Sequence, residues 1–121
     1  MTPGRSLYNP TITLYKAIQK GKRTRFLEYG FQPADFPYNP PYFDGCFYFA
    51  GPDDRSIAEE FNQNYQGGIL EVTMDQVTYE RYFKSLEYCY DVGDDCERIE
   101  VVVPQELLPM LNQFPRVLKP Q

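Results

Sequence analysis

The stretch from Phe43 to Phe61 constrains the fold more than any other. It reads Phe43-Asp44-Gly45-Cys46-Phe47-Tyr48-Phe49-Ala50-Gly51, turns on Pro52-Asp53-Asp54, and continues as Arg55-Ser56-Ile57-Ala58-Glu59-Glu60-Phe61. The aromatic run from Cys46 to Ala50 predicts a strand. Asp53 or Asp54 can cap a following helix from about Arg55 to Tyr65. Its apolar residues Ile57, Ala58 and Phe61 fall on one face at helical spacing. Phe47 and Phe49 alternate with Tyr48, so both faces of the strand are aromatic. One face is core and the other must cover something else. Tyr48 can stack on a planar ligand with Phe61 as the opposing wall; alternatively, Phe61 simply packs helix on sheet.

Around this unit the chain mixes short strands and helices. Thr11 to Ile18 alternates β-branched and apolar residues and predicts a strand. Thr24 to Tyr29 predicts a short helix stopped by Gly30. Residues 32–44 hold Pro33, Pro37, Pro40 and Pro41, which argues against regular structure there. Gly67-Gly68 predicts a turn into a strand from Ile69 to Met74, and Asp75 can cap a helix from Gln76 to Ser85. Asp91 to Asp95 is an acidic loop. Ile99 to Val103 predicts a strand, with Pro104 opening a helix from Gln105 to Asn112. The tail from Phe114 is extended. With no regular alternation of strand and helix, the pattern predicts an α+β fold with a mostly antiparallel sheet.

At 121 residues the chain makes one domain, 1–121, and 42% apolar content supports a packed core. The net charge of −5 disfavours a duplex nucleic-acid binder. Lys16, Lys20, Lys22, Arg23 and Arg25 nevertheless make the first quarter basic. That suits either an anionic small ligand such as a dinucleotide or a solvated surface. The chain holds no His, which excludes His-based acid–base catalysis, a Ser-His-Asp triad and His-ligated metal. Cys46, Cys89 and Cys96 form no metal-type pair. Cys89 and Cys96 can bridge across a loop, but free thiols in a cytosolic setting are the expectation. No apolar run reaches membrane-spanning length and no signal-peptide pattern opens the chain, so no membrane partner is expected.

Two strand-borne carboxylates stand out. Glu100 lies near the start of an otherwise apolar strand, where a charge is costly unless it faces a cleft or a partner. Glu71 lies in Ile69-Leu70-Glu71-Val72-Thr73 and shares a face with Ile69 and Thr73. Glu100 carries the stronger case, although a rim ion pair with Lys or Arg would also explain it.

These residues carry a resemblance. Gly45-Cys46-Phe47-Tyr48-Phe49-Ala50 with Ser56-Ile57-Ala58 resembles the signature of ADP-ribosyltransferases, in particular the poly-ADP-ribose polymerase branch. Glu100-Val101-Val102-Val103-Pro104 resembles the strand bearing the catalytic Glu of bacterial ADP-ribosylating toxins. Leu14-Tyr15-Lys16-Ala17 resembles the family's first strand, and all three occur in family order. The resemblance implies a split antiparallel β-sandwich with short flanking helices, and NAD as co-substrate. It implies Glu100 as the catalytic glutamate, which holds the nicotinamide ribose. Tyr48 would stack on nicotinamide, with Phe61 opposite. Lys16, with Tyr15 beside it, would take the first-strand NAD contact; Phe49 and Ser56 would complete the NAD-binding set. Arg98 stands two residues before Glu100, where the family often has Gln or Glu; with Glu97 it would bear on target choice, and it makes arginine-directed modification doubtful. The first-strand position is usually Arg or His, and Lys offers a point charge in place of a bidentate fork.

The resemblance further implies a mono-ADP-ribosyltransferase toxin acting on a macromolecule, most readily a protein. Such a toxin would act in the cytoplasm of a target cell, be delivered as the C-terminal piece of a larger secreted protein, and be neutralised by a cognate immunity protein. Three other readings stay open: an NAD glycohydrolase using the same cleft, a non-catalytic binding module, and an immunity protein.

Overall fold

The computed structural model describes residues 10–40, 43–91 and 96–119. The elements are β1 (Thr11–Gln19), α1 (Arg23–Tyr29), β2 (Tyr38–Asn39), β3 (Phe43–Asp44), β4 (Phe47–Ala50), α2 (Ser56–Tyr65), β5 (Gln66–Asp75), α3 (Gln76–Tyr82), β6 (Glu87–Cys89), β7 (Ile99–Val103), α4 (Leu108–Leu111) and β8 (Arg116–Lys119). Six strands form one sheet in the order β6-β7-β4-β1-β5-β8, and β2 pairs with β3 in a separate hairpin. Every pairing is antiparallel. The fold is therefore α+β, as the mixed pattern of short elements predicted. Among the described residues no helix is long and apolar enough to cross a membrane.

The sheet separates two apolar layers. On one face Leu14, Ile18, Phe47, Phe49, Val72, Val101 and Val103 pack with Phe26, Phe31, Phe83, Leu108 and Leu111 into the main core. On the other face Ile57 and Ala58 of α2 press on Ala50 and Ile69, with Tyr15 and Tyr90 at the edge. Alternation along each strand sorts the residues. In β4 it sends Phe47 and Phe49 into the main core and leaves Tyr48 38% exposed on the α2 side.

Local chemistry sets the ends of the elements. Gly30 stops α1 with φ 73°, and its N–H donates to Phe26 O. At the start of α2, the Ser56 N–H donates to Asp54 Oδ1. Asp53 instead turns back to β1: its Oδ1 accepts the Thr13 N–H, and its own N–H donates to Thr13 O.

Several expectations are corrected. Gly67 and Gly68 do not turn the chain; both lie inside β5. At Gly67 a β-carbon would sit 2.2 Å from Ile18 O, where the β1–β5 register shifts between Ala17 and Gln19. Close backbone approach, not a turn, requires glycine there. Gly67→Ala is expected to destabilise the protein by about 1–3 kcal/mol, because backbone on both sides must move. A urea denaturation midpoint equal to that of the parent would refute it. The proline-rich stretch holds a hairpin, β2–β3, in addition to irregular chain. Helix α3 ends at Tyr82, Asp75 makes no side-chain cap bond, and Pro104 precedes a 3-10 turn at Gln105–Leu107. Strand β6 had no sequence expectation. Cys89 and Cys96, expected as free thiols, are disulfide-bonded, while Cys46 is free. Residues 1–10, which Pro3, Gly4 and Pro10 mark as an irregular lead-in, lie outside the described residues apart from Pro10, as does the acidic loop apart from Asp91.

Candidate functional site

The sheet opens between its two central strands. β1 and β4 share a single register pair, Tyr15↔Ala50, whereas β1 and β5 pair along nearly their whole length. On one side of that pair the Thr13–Asp53 bonds hold the strands together. On the other side no further β1–β4 register pair forms among the described residues, and Lys16 Nζ reaches across to donate to Tyr48 O at 3.0 Å. A side-chain cation thus satisfies a strand carbonyl.

A cavity of about 410 Å³ occupies this opening and continues under α2. Ala50 and Glu100 line it together with the rings of Tyr15, Tyr48, Tyr88 and Tyr90. Phe61 and Tyr65 contribute from α2, and Lys16, Lys22 and Phe36 from the basic first quarter and the proline-rich stretch. The volume lies in the range of small-molecule sites, roughly 300–1,000 Å³.

Glu100 is the acid of this cavity. It is 5% exposed. Its strand register explains why: Glu100 pairs with Ala50 on one side and Tyr88 on the other, so its side chain rises on the α2 face while Val101 and Val103 point into the core. The Tyr88 hydroxyl donates to Glu100 Oε1. Burial pushes the carboxyl above its usual range, and the Tyr88 bond and the Lys16 charge act the other way without overcoming it. Burial also holds the Tyr88 phenol well above its ordinary value, reinforced by that same bond. Tyr88→Phe is expected to raise the Glu100 pKa further, since it removes a donor to the charged form. Carboxyl-carbon NMR titration reads this directly, and an unmoved Glu100 curve would show that the contact does not form in solution.

Tyr48 is anchored at its far end. Its hydroxyl donates to Asp44, which pushes the phenol up to about 12, with burial adding to the effect. The ring is thereby fixed while one side stays open to the cavity. Across the cavity Phe61 stacks on Tyr65 at 6.1 Å and meets Tyr90 edge-on at 6.3 Å. Arg98 lies over the Tyr90 ring at 5.3 Å. Its guanidinium grips Asp91 with Nε and Nη2 and also pairs with Glu60 on α2. These bonds raise the Arg98 pKa and lower that of Asp91.

Of the residues singled out in the sequence, Tyr15, Lys16, Tyr48, Phe61 and Glu100 line one cavity. Phe49 does not: it is 0% exposed in the main core, edge-on to Phe31 at 5.3 Å. Strand alternation makes it a packing residue. Ser56 also lies outside the cavity lining, and its buried Oγ has no hydrogen-bond partner among the described residues. Arg98 braces α2 against the segment after β6, with its charge already paired, and Glu97 is exposed beyond the cavity. Glu71 pairs with Arg55 at 3.8 Å. Tyr88, Tyr90 and Tyr65 escaped sequence reasoning, and Lys22 was read only as part of the basic first quarter. The alternation Tyr88-Cys89-Tyr90, next to an apolar strand, was the available signal.

The assembled chemistry is a buried carboxylate with a phenol donor, flat aromatic walls, and two lysines. It can hold a planar ring and a hydroxylated sugar. Among the described residues no group of three or more acidic or thiol side chains is arranged to hold a metal. Compared with known proteins, the chain matches no family model, no curated protein and no solved structure.

Proposed function

We propose that the chain is a mono-ADP-ribosyltransferase that cleaves NAD at the cavity between β1 and β4 and transfers ADP-ribose to a macromolecule, most readily a protein. One observation carries the reading: Glu100 and Tyr48, far apart in sequence, line the same cavity beside the single register pair that joins β1 and β4. The residues fit the ligand. Tyr48 and Phe61 offer ring faces for nicotinamide. Glu100 offers an acceptor for a ribose hydroxyl, and Lys22 offers a cation for the pyrophosphate.

On this reading Glu100 works as a fixed anion. Its charge stabilises the positive charge that grows on the ribose as the bond to nicotinamide breaks and the electron pair leaves with the ring. The carboxylate is already held by Tyr88, so little reorganisation is needed. The acceptor then attacks the anomeric carbon and loses a proton. The wider reading, a delivered toxin acting in a target-cell cytoplasm and countered by an immunity protein, rests on the sequence resemblance.

Incubation with labelled NAD and a cell lysate tests the proposal. Label transferred to protein, and lost with Glu100→Gln, is the expected result. Free nicotinamide without an acceptor identifies a glycohydrolase. No transfer, no nicotinamide release and no calorimetric NAD affinity would leave a binding module or inhibitor and overturn the proposal.

A further inference from the structure

Lys16 is placed unlike any other lysine of the described chain. It lines the cavity beside the short pairing of β1 and β4. Its Nζ lies 4.7 Å from the Phe36 ring centroid, 5.4 Å from Phe49 and 6.0 Å from Phe47. Alternation puts its stem on the main-core face beside Leu14 and Ile18. Among the described residues it forms no ion pair with a carboxylate, and its hydrogen bond goes to a neutral acceptor, Tyr48 O.

We propose that Lys16 is a carbonyl-capturing amine, which forms a reversible imine with an aldehyde-bearing ligand entering the cavity, such as a flat aromatic aldehyde or the open-chain form of an aldose. The physical basis is the amine's surroundings. Burial among rings disfavours the ammonium, while the charges of Glu100 and Asp35 favour it; burial dominates, and the pKa falls to about 8. About a tenth of the amine is then neutral at pH 7, far more than for an ordinary lysine. A neutral amine can still donate one N–H to Tyr48 O, which leaves its lone pair directed elsewhere.

The chemistry balances without an oxidant or reductant. The Nζ lone pair forms a bond to the carbonyl carbon, and one proton passes from nitrogen to the former carbonyl oxygen to give a carbinolamine. The second amine proton then leaves with that hydroxyl as water, and C=N replaces C=O. Aromatic walls suit the flat or sugar-derived part of such a ligand.

Pyridoxal 5′-phosphate is a suitable probe. The protein is treated at pH 8 with a stoichiometric amount, the imine is fixed with borohydride, and modified peptides are mapped. Lys16 is expected to label at least about tenfold faster than Lys84 or Lys119, as its larger neutral fraction requires. Lys16→Met keeps an apolar stem on the rings and removes the half-buried ammonium. That variant is expected to melt as a folded protein and to incorporate no adduct at the same dose. Even labelling across the lysines, preferential labelling of Lys22, or undiminished incorporation in folded Lys16→Met would overturn the proposal. The assay contains no NAD, so it stands or falls separately from the NAD-cleavage reading.

Discussion

Glu100→Gln is expected to lower NAD cleavage by about 10²–10³-fold, the range for removing one preorganised electrostatic contact from a transition state. The amide keeps the volume of the acid and still accepts from Tyr88, so NAD affinity measured by calorimetry is expected to persist. The same substitution is expected to stabilise the fold near neutral pH. The sign follows from proton linkage. Burial raises the folded-state pKa of Glu100 above its unfolded value. Between those two values the folded protein binds more protons than the unfolded chain, so stability falls as pH rises through that window. Above it the buried anion is a standing penalty, which the neutral amide does not carry. Parent and variant are therefore expected to converge in stability in acid and to separate as the pH is raised, with the variant ahead. Such opposition between stability and activity is typical of working sites. Undiminished turnover in Glu100→Gln would remove Glu100 from the mechanism; a variant less stable than the parent at neutral pH would show that the carboxylate serves the fold instead.

The sequence revealed elements more readily than contacts, for physical reasons. The strand at Thr11 and the helix after Asp54 were legible because each has a period of its own, two for a strand and near 3.6 for a helix; the strand at Ile99 was legible as a β-branched run bounded by Pro104. Strand β4 was legible as a strand but not as to its faces. With Phe47, Tyr48 and Phe49 in a row, alternation assigns two rings to one side and one to the other without saying which side is core. That is why Phe49 was expected on a ligand and lies against Phe31. Gly67-Gly68 misled because glycine serves both turns and close backbone approaches, and only the neighbouring strand reveals which. Strand β6, spanning Glu87–Cys89, is too short to show a period. The Tyr88–Glu100 contact depends on the register between β6 and β7, which no local pattern encodes. Glu100 itself was legible because a lone charge in an apolar strand needs a reason.

Breaking the Cys89–Cys96 bridge, by Cys89→Ser with Cys96→Ser or by a thiol reductant, is expected to destabilise the protein by about 2.5 kcal/mol. That figure is the chain-entropy value for a loop this short; the bridged residues are 7 apart in sequence. For a domain of this size it corresponds to a melting temperature lower by roughly 10 °C. The bridge also bears on the cavity. Cys89 stands between Tyr88 and Tyr90, both in the cavity wall, and the Tyr90 N–H donates to Arg98 O beside β7. Loosening this end frees the two rings and weakens the hold on Glu100, so ligand affinity is expected to fall with stability. Such a bridge persists in oxidising surroundings and is reduced in a cytosol. A protein that travels as part of a secreted chain would carry it, and one that acts in a target-cell cytoplasm would have to work without it. The two halves of that proposal therefore separate experimentally. Thermal melts and NAD-cleavage rates measured with and without reductant are expected to show a lower melting temperature and a folded, weakened enzyme. An unchanged melting temperature would mean that the bridge is absent in solution. Complete loss of the fold at 37 °C under reduction would confine the activity to an oxidising compartment.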